Sequence, residues 1–220
     1  MPLELPLFNR HRMPVSDTAL PWLLVLLHGV GSNEEDLYGL APSVPPQFHV
    51  LSLRAPYTLG RDSYGWFTFV VQPNGVRTIN QEQEAASRSI VATTVTSAAE
   101  QLAVPADRVV VGGFSQGGIM SLSLLLTQPD LVTAAMVMHS RLLPEVVPHI
   151  APAEALRRHR VWVSHGTDDG VIPLANAREI RRRLSGLPID LSYAEFPGGH
   201  EIRAAELTAA MAWLDAPETS

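Results

Sequence analysis

The run Arg108-Val109-Val110-Val111-Gly112 leads directly into Gly113-Phe114-Ser115-Gln116-Gly117, and a helix-like stretch follows at once. A serine flanked by glycines at a strand-to-helix corner is held with its hydroxyl facing solvent. The corner is too sharp for side chains on its flanks, so small residues are required there. This pattern constrains the fold more than any other in the chain. It demands a buried strand before the serine, a packed helix after it, and a sheet edge where the two meet.

The rest of the sequence supplies those parts. Apolar runs at Trp22 to His28, Phe48 to Leu53, Arg108 to Gly112, Ala134 to Met138, Arg160 to Ser164 and Ile189 to Glu195 read as strands. Most are continuous rather than alternating in polarity, as in parallel strands covered on both faces. Helical patterns lie between them. Asn80 with Gln83 forms a capping-box pair ahead of an amphipathic stretch, Gln81 to Leu102. Ser115 to Thr127 is apolar nearly all round and so belongs at the centre, whereas Leu174 to Leu184 and Glu201 to Trp213 are amphipathic. Strands and helices alternating through short links predict one doubly wound α/β domain over 1–220. The first twenty residues, with Pro2, Pro6 and Pro14, predict a short edge strand or arm. Ala55 to Ile79 fits neither period and holds Tyr57, Tyr64, Trp66, Phe67 and Phe69. A functional excursion and a β-hairpin packed on the core are both open readings of it.

Composition removes several kinds of chemistry. The chain has no cysteine and no lysine, which leaves no thiolate, no Schiff-base amine and no Walker-type phosphate lysine. A formal net charge of −6 argues against a nucleic-acid partner. The apolar run Ala19 to Leu27 is too short to span a bilayer and lacks a basic start, so no stable membrane insertion is expected. No secretory signal is visible, and a cytoplasmic enzyme is the expectation.

A serine hydroxyl needs a base to take its proton, and the base needs a carboxylate to fix its tautomer. Downstream of Ser115, Val161-Trp162-Val163-Ser164-His165-Gly166-Thr167-Asp168-Asp169-Gly170 is a strand running into a loop with two aspartates. Phe196-Pro197-Gly198-Gly199-His200 is a strand end followed by a glycine turn and a histidine. Both place polar groups just past the carboxyl end of a strand, where ligands bind in open α/β sheets. Asp168 and Asp169 compete as the acid, with Asp169 placed first, and either can instead cap the helix that starts near Pro173. His165 with Asp168, Asp169 and His200 has no recognisable metal-ligand spacing, and no metal is expected. His28 and His139 read as structural, at the ends of buried strands. Arg178, Arg181, Arg182 and Arg183 read as a solvated helix face. Backbone N–H groups of Gln116, at the helix start, and of Val30, in the glycine loop Leu27-His28-Gly29-Val30-Gly31, are the candidates for an oxyanion hole.

The segments LLHGVGSNEEDL (26–37), SLRAP (52–56), GWF (65–67), VVVGGFSQGG (109–118), SRLLP (140–144), HGTDDGVIP (165–173) and GGH (198–200) follow one another in a familiar order. Through them the chain resembles the α/β-hydrolase superfamily, and within it the phospholipase/carboxylesterase family that includes acyl-protein thioesterases. The resemblance implies a mostly parallel central sheet flanked by helices on both faces, little or no cap domain, and no cofactor. By position it makes Ser115 the nucleophile, Asp169 the orienting acid and His200 the base, with Val30 and Gln116 in the oxyanion hole. It alone suggests a homodimer. The chain departs from the family pattern at His139, before Ser140-Arg141-Leu142-Leu143-Pro144, where small residues are usual, and at Asp168-Asp169-Gly170, which replaces an aspartate followed by proline.

The expected activity is hydrolysis of short- to medium-chain carboxylic esters through an acyl-enzyme, with a small-molecule ester as partner. Tyr57, Trp66 and Phe67 are expected to line its acyl pocket. Thioester or lysophospholipid hydrolysis is the alternative within the same chemistry, and a non-catalytic binding protein is the alternative outside it.

Overall fold

A computed structural model describes residues 3–16, 20–73 and 77–216. Seven strands form one sheet in the order β1-β3-β2-β8-β9-β10-β11. These are β1 (Asn9–Arg12), β2 (Trp22–Leu27), β3 (Phe48–Leu53), β8 (Val109–Phe114), β9 (Ala134–Met138), β10 (Arg160–Gly166) and β11 (Asp190–Phe196). β1 runs antiparallel to β3 at one edge, and every other neighbour pair is parallel. The opening arm therefore supplies the edge strand.

Alternation along β2 explains the layers. Leu23, Val25 and Leu27 point to one face, and Leu24 and Leu26 to the other. The first face packs under helices α2 (Gln81–Gln101), α3 (Gln116–Thr127) and α4 (Ala175–Leu184). The second packs against α1 (Glu34–Tyr38) and α5 (Ala204–Asp215) through Leu37, Ala210, Trp213 and Leu214. Burial on both faces is why these strands read as unbroken apolar runs. Each fully buried leucine contributes about 2 kcal/mol of transfer free energy. Helix α3 is buried at every position from Gln116 to Leu126, so its apolar sequence has no solvent side to present.

Three strand ends lie beyond their expected limits, β11 by the single residue Phe196. β8 continues through Gly113 and Phe114, which pair with Val137 and Met138 of β9. β10 continues to Gly166 because that residue pairs with Phe196. At the start of α2, Asn80 Oδ1 accepts from the Gln83 amide as a cap should. The Gln83 side chain does not complete a capping box; it accepts from the Thr68 backbone N–H and hydroxyl instead. The excursion 55–79 forms two hairpins, β4 (Tyr57–Gly60) with β5 (Ser63–Gly65) and β6 (Phe69–Val71) with β7 (Arg77–Ile79).

The sheet reverses its winding between β2 and β8, the crevice where open α/β folds bind ligands. Helix α3 begins there, pressed against the end of β2. A Cβ on Gly117 would lie 1.8 Å from the Leu27 carbonyl oxygen and 2.7 Å from that of His28. Gly117→Ala should lower unfolding stability by at least about 3 kcal/mol in urea titration, because backbone cannot rotate away as a side chain does. Gly170→Ala, where a Cβ meets nothing within 4 Å, is the control expected near neutrality. Equal stability of both variants would contradict the close approach.

Candidate active site

Ser115 sits between β8 and α3 with φ 55° and ψ −116°, a left-handed conformation rare for a residue with a side chain. Such strain costs about 1–3 kcal/mol and is held by its surroundings. The Ser115 N–H donates to Met138 O at 2.9 Å, and its carbonyl accepts from the Ser140 hydroxyl at 2.9 Å and the Ile119 N–H at 3.1 Å. Both backbone polar groups of Ser115 are thereby used, and its hydroxyl is left to face the crevice.

That hydroxyl meets His200 Nε2 at 2.9 Å, and His200 Nδ1 meets Asp169 Oδ2 at 2.7 Å. A carboxylate only accepts, so Nδ1 carries the proton, and the Nε2 lone pair faces the serine. His200 follows β11, and Asp169 follows β10. The backbone joins these loops tightly: Thr167 N–H donates to Phe196 O at 2.9 Å and Asp168 N–H to Gly198 O at 2.9 Å. Of the two competing aspartates, Asp169 is the buried one. Asp168 is exposed and accepts from its neighbour Thr167.

Asp169 is held from all sides. Its Oδ1 accepts from the N–H groups of Val171 (2.9 Å) and Ile172 (2.8 Å). Its Oδ2 takes a second imidazole, His139 Nδ1, at 3.1 Å. Burial pushes the carboxyl up, but His200, Ile172, Val171 and His139 together hold it below the ordinary aspartate value.

His139 was read from sequence as structural, and its surroundings give it more to do. Its Nε2 lies 3.0 Å from Glu206 Oε2, so both ring nitrogens face carboxylate oxygens and both must donate. The ring is an imidazolium locked between Asp169 and Glu206. Burial draws its pKa down, and hydrogen bonds and charge from Glu206 and then Asp169 outweigh that, leaving it above the ordinary histidine value. The other Glu206 oxygen is buried with no hydrogen-bond partner among the described residues. His165 stacks on His139 with ring centres 5.2 Å apart, and it donates from Nε2 to Ile172 O at 2.7 Å. Burial holds His165 below its ordinary pKa, hence neutral. Donor atoms of His139, Asp169 and His200 lie within 4.8 Å of one another, as a metal site would require. Hydrogen bonds account for that cluster, since each of those atoms faces a partner of opposite character.

Sequence reading passed over Glu206. Its signal is position: Glu206, Ala210, Trp213 and Leu214 share the buried stripe of α5, and a carboxylate in such a stripe needs a cation.

The backbone N–H groups of Val30 and Gln116 have no hydrogen-bond partner among the described residues. Both residues wall a narrow slot of about 20 Å³ over Ser115, with Phe67, Phe69, Arg77, Ile119, Arg141 and Ile172. The Val30 loop is fixed from outside. Gly31 N–H donates to Tyr64 O at 2.8 Å, Tyr64 N–H donates to Ser32 O at 2.9 Å, and Arg54 pins buried Glu34 through two bonds of 2.6 Å.

Of the three expected pocket residues, Phe67 is the one that walls this slot. Trp66 does not, which corrects the expectation: it is fully buried, and its indole N–H donates to His28 O at 2.9 Å. Gln116 reaches across to accept from Trp66 N at 2.7 Å and donate to Phe67 O at 2.6 Å, turning the indole inward. Tyr57, on β4, is also absent from the slot wall. His28 is structural as expected: Nδ1 donates to Gly29 O at 2.7 Å, and Nε2 accepts from Ala55 N–H at 3.0 Å.

Replacing Glu206 by Gln keeps the shape and removes the charge. His139 should then titrate at a lower pH, followed by NMR of its ring proton. A raised folded pKa stabilises fully below the unfolded value near 6.5 and is lost as pH rises through the folded value. The variant should therefore be less stable by about 3 kcal/mol at pH 6, and the gap should close at alkaline pH. A deficit that is flat with pH would contradict the imidazolium.

Known proteins resemble the chain in sequence and in fold. Over 111 residues the chain is 33% identical to acyl-protein thioesterase 1 of Gibberella zeae, covering 49% of this chain and 47% of that protein. The chain spans about half the length of that relative and of its Neurospora crassa counterpart. A Bacillus subtilis protein named as a hydrolase, MhqD, is 26% identical over 201 residues, covering 87% of this chain and 91% of that one. In fold it resembles a Bacillus cereus carboxylesterase (TM-score 0.81, 22% identity, 96% of this chain and 94% of that one). A Mesorhizobium loti carboxylesterase is similar too (TM-score 0.83, 23% identity, 98% and 99%). The family model described as phospholipase/carboxylesterase matches residues 16–217, the whole of the sheet from β2 to β11 with its helices. With a glycine-bounded serine at the switch point and the polar loops of β10 and β11 beside it, the chain belongs to the phospholipase/carboxylesterase family.

Proposed function

We propose that the protein is a serine esterase acting on short- to medium-chain carboxylic esters. The observation that carries this reading is the hydrogen-bonded series from Ser115 Oγ through His200 to buried Asp169. Ser115 attacks the ester carbonyl as His200 takes its proton, and Asp169 keeps the ring oriented and stabilises the imidazolium. The N–H groups of Val30 and Gln116 receive the oxyanion, for which their lack of other partners leaves them available. His200 then protonates the departing alcohol, and water releases the acyl group by the same steps in reverse roles.

The small slot and its apolar wall of Phe67, Phe69, Ile119 and Ile172 support a short acyl group. A second reading, thioester hydrolysis, is supported by the likeness to the fungal acyl-protein thioesterase. The two share every step at Ser115 and differ in the leaving group alone.

Ser115→Ala should reduce hydrolysis of 4-nitrophenyl butyrate by about 10³-fold or more while leaving the fold intact by circular dichroism. The unaltered protein should be labelled at Ser115 by a fluorophosphonate. Undiminished turnover in the variant would reject the nucleophile. Phe67→Ala should raise the octanoate-to-acetate ratio of kcat/KM by about tenfold, as expected for opening an apolar wall. An unchanged chain-length profile would remove Phe67 from the acyl site.

A further inference from the structure

The slot over Ser115 opens beside a larger pocket of about 420 Å³, and the two share Arg77, Arg141 and Ile172 as a common wall. Val71, Gly170, Val171, Pro173 and Asn176 complete the larger pocket, so among the described residues it is lined by two guanidinium groups and no carboxylate. Arginines elsewhere in this chain of net charge −6 often pair with acids, as Arg54 does with Glu34 and Arg178 with Glu195, or with backbone carbonyls, as Arg12 and Arg108 do.

Arg141 forms no ion pair and no hydrogen bond through its side chain with the described residues. The Arg77 guanidinium lies 5.2 Å from the Phe69 ring centre. Burial first, and then Arg77, draw the Arg141 pKa below its ordinary value, while Glu145 acts the other way without reaching ion-pair distance. Asp169, also on this side, has both oxygens occupied by N–H donors. A half-buried cation without a counterion is costly, and an anion arriving from outside removes that cost. A guanidinium also presents a planar fork matched to carboxylate and phosphate oxygens.

We propose that Arg141 and Arg77 form an anion subsite, and that the preferred ester carries a carboxylate or phosphate-type group on the part reaching past Ile172 from the carbonyl held at Ser115. This rests on the reading of Ser115 as nucleophile. Arg141 supplies the recognition at the shared wall, and Arg77 adds charge from the end of β7. The apolar slot holds the carbon chain between anion and ester.

The test compares kcat/KM for 4-nitrophenyl hemiglutarate, a phosphonate-bearing 4-nitrophenyl ester of equal length, and neutral 4-nitrophenyl valerate. The anionic esters should be preferred by about tenfold or more, the scale of hydrogen bonds to charged groups. Preference for one anionic ester over the other tells carboxylate from phosphate, and either supports the subsite. In Arg141→Gln and in Arg77→Gln the anionic-to-neutral ratio should fall toward one, and Arg141→Lys should keep part of it. Fluorophosphonate labelling of each variant verifies that the ratio is read on a formed site. Hydrolysis with no anionic preference, or a preference that survives both Gln variants, overturns the subsite while Ser115 stands. Absence of both hydrolysis and labelling in the unaltered protein overturns the two readings together.

Discussion

The site depends on one close approach: the first turn of α3 passes the end of β2 at a distance that only a missing side chain permits. Gly117 makes this possible, and it brings the positive end of α3, the Ser115 corner and the Val30 loop to one point of the sheet edge. Gly113 plays the reciprocal part, since a Cβ there would fall 2.3 Å from the Gly117 carbonyl carbon. Once those backbones touch, the strained Ser115 conformation follows, and the loops after β10 and β11 have a fixed object to close upon.

Charge is arranged around this point in alternation. Moving inward from the proposed nucleophile, the His200 imidazole meets Asp169, then His139, then Glu206. The series leaves the proposed general base against a carboxylate whose own charge is shared among four N–H donors. Outside the slot the sign inverts, with Arg77 and Arg141 lining the larger pocket. Asp169 and Glu206 thus stand behind the serine, and the two arginines in front of it.

Much of this was legible in the sequence because it is encoded locally. Glycine spacing singled out Ser115, and strand-end loops singled out His200 and the pair Asp168 and Asp169, since each signal fits inside about ten residues. Continuous apolar runs located the parallel strands to within a residue or two, and the errors at Gly112 and Ser164 arose where pairing with a neighbour, not composition, sets the end. The illegible parts were pairings across the fold. Trp66 looked like a pocket aromatic, and it is a bond from Gln116, fifty residues away, that turns it inward. His139 joins Glu206 over 67 residues, and neither half carries a local mark of the other.

The grip of Gln116 on the chain at Trp66 and Phe67 has a mechanical consequence. A hinged cover made from these residues would have to break two short hydrogen bonds to the very helix that begins at the serine, and to pull an indole off its carbonyl. Uncovering the hydroxyl in that way would disarm it. Side-chain rotation at the rim, where Val30 is exposed to solvent, is the smaller motion beside the serine. Rotations of that kind take picoseconds to nanoseconds, far faster than the release of a cover held by those bonds.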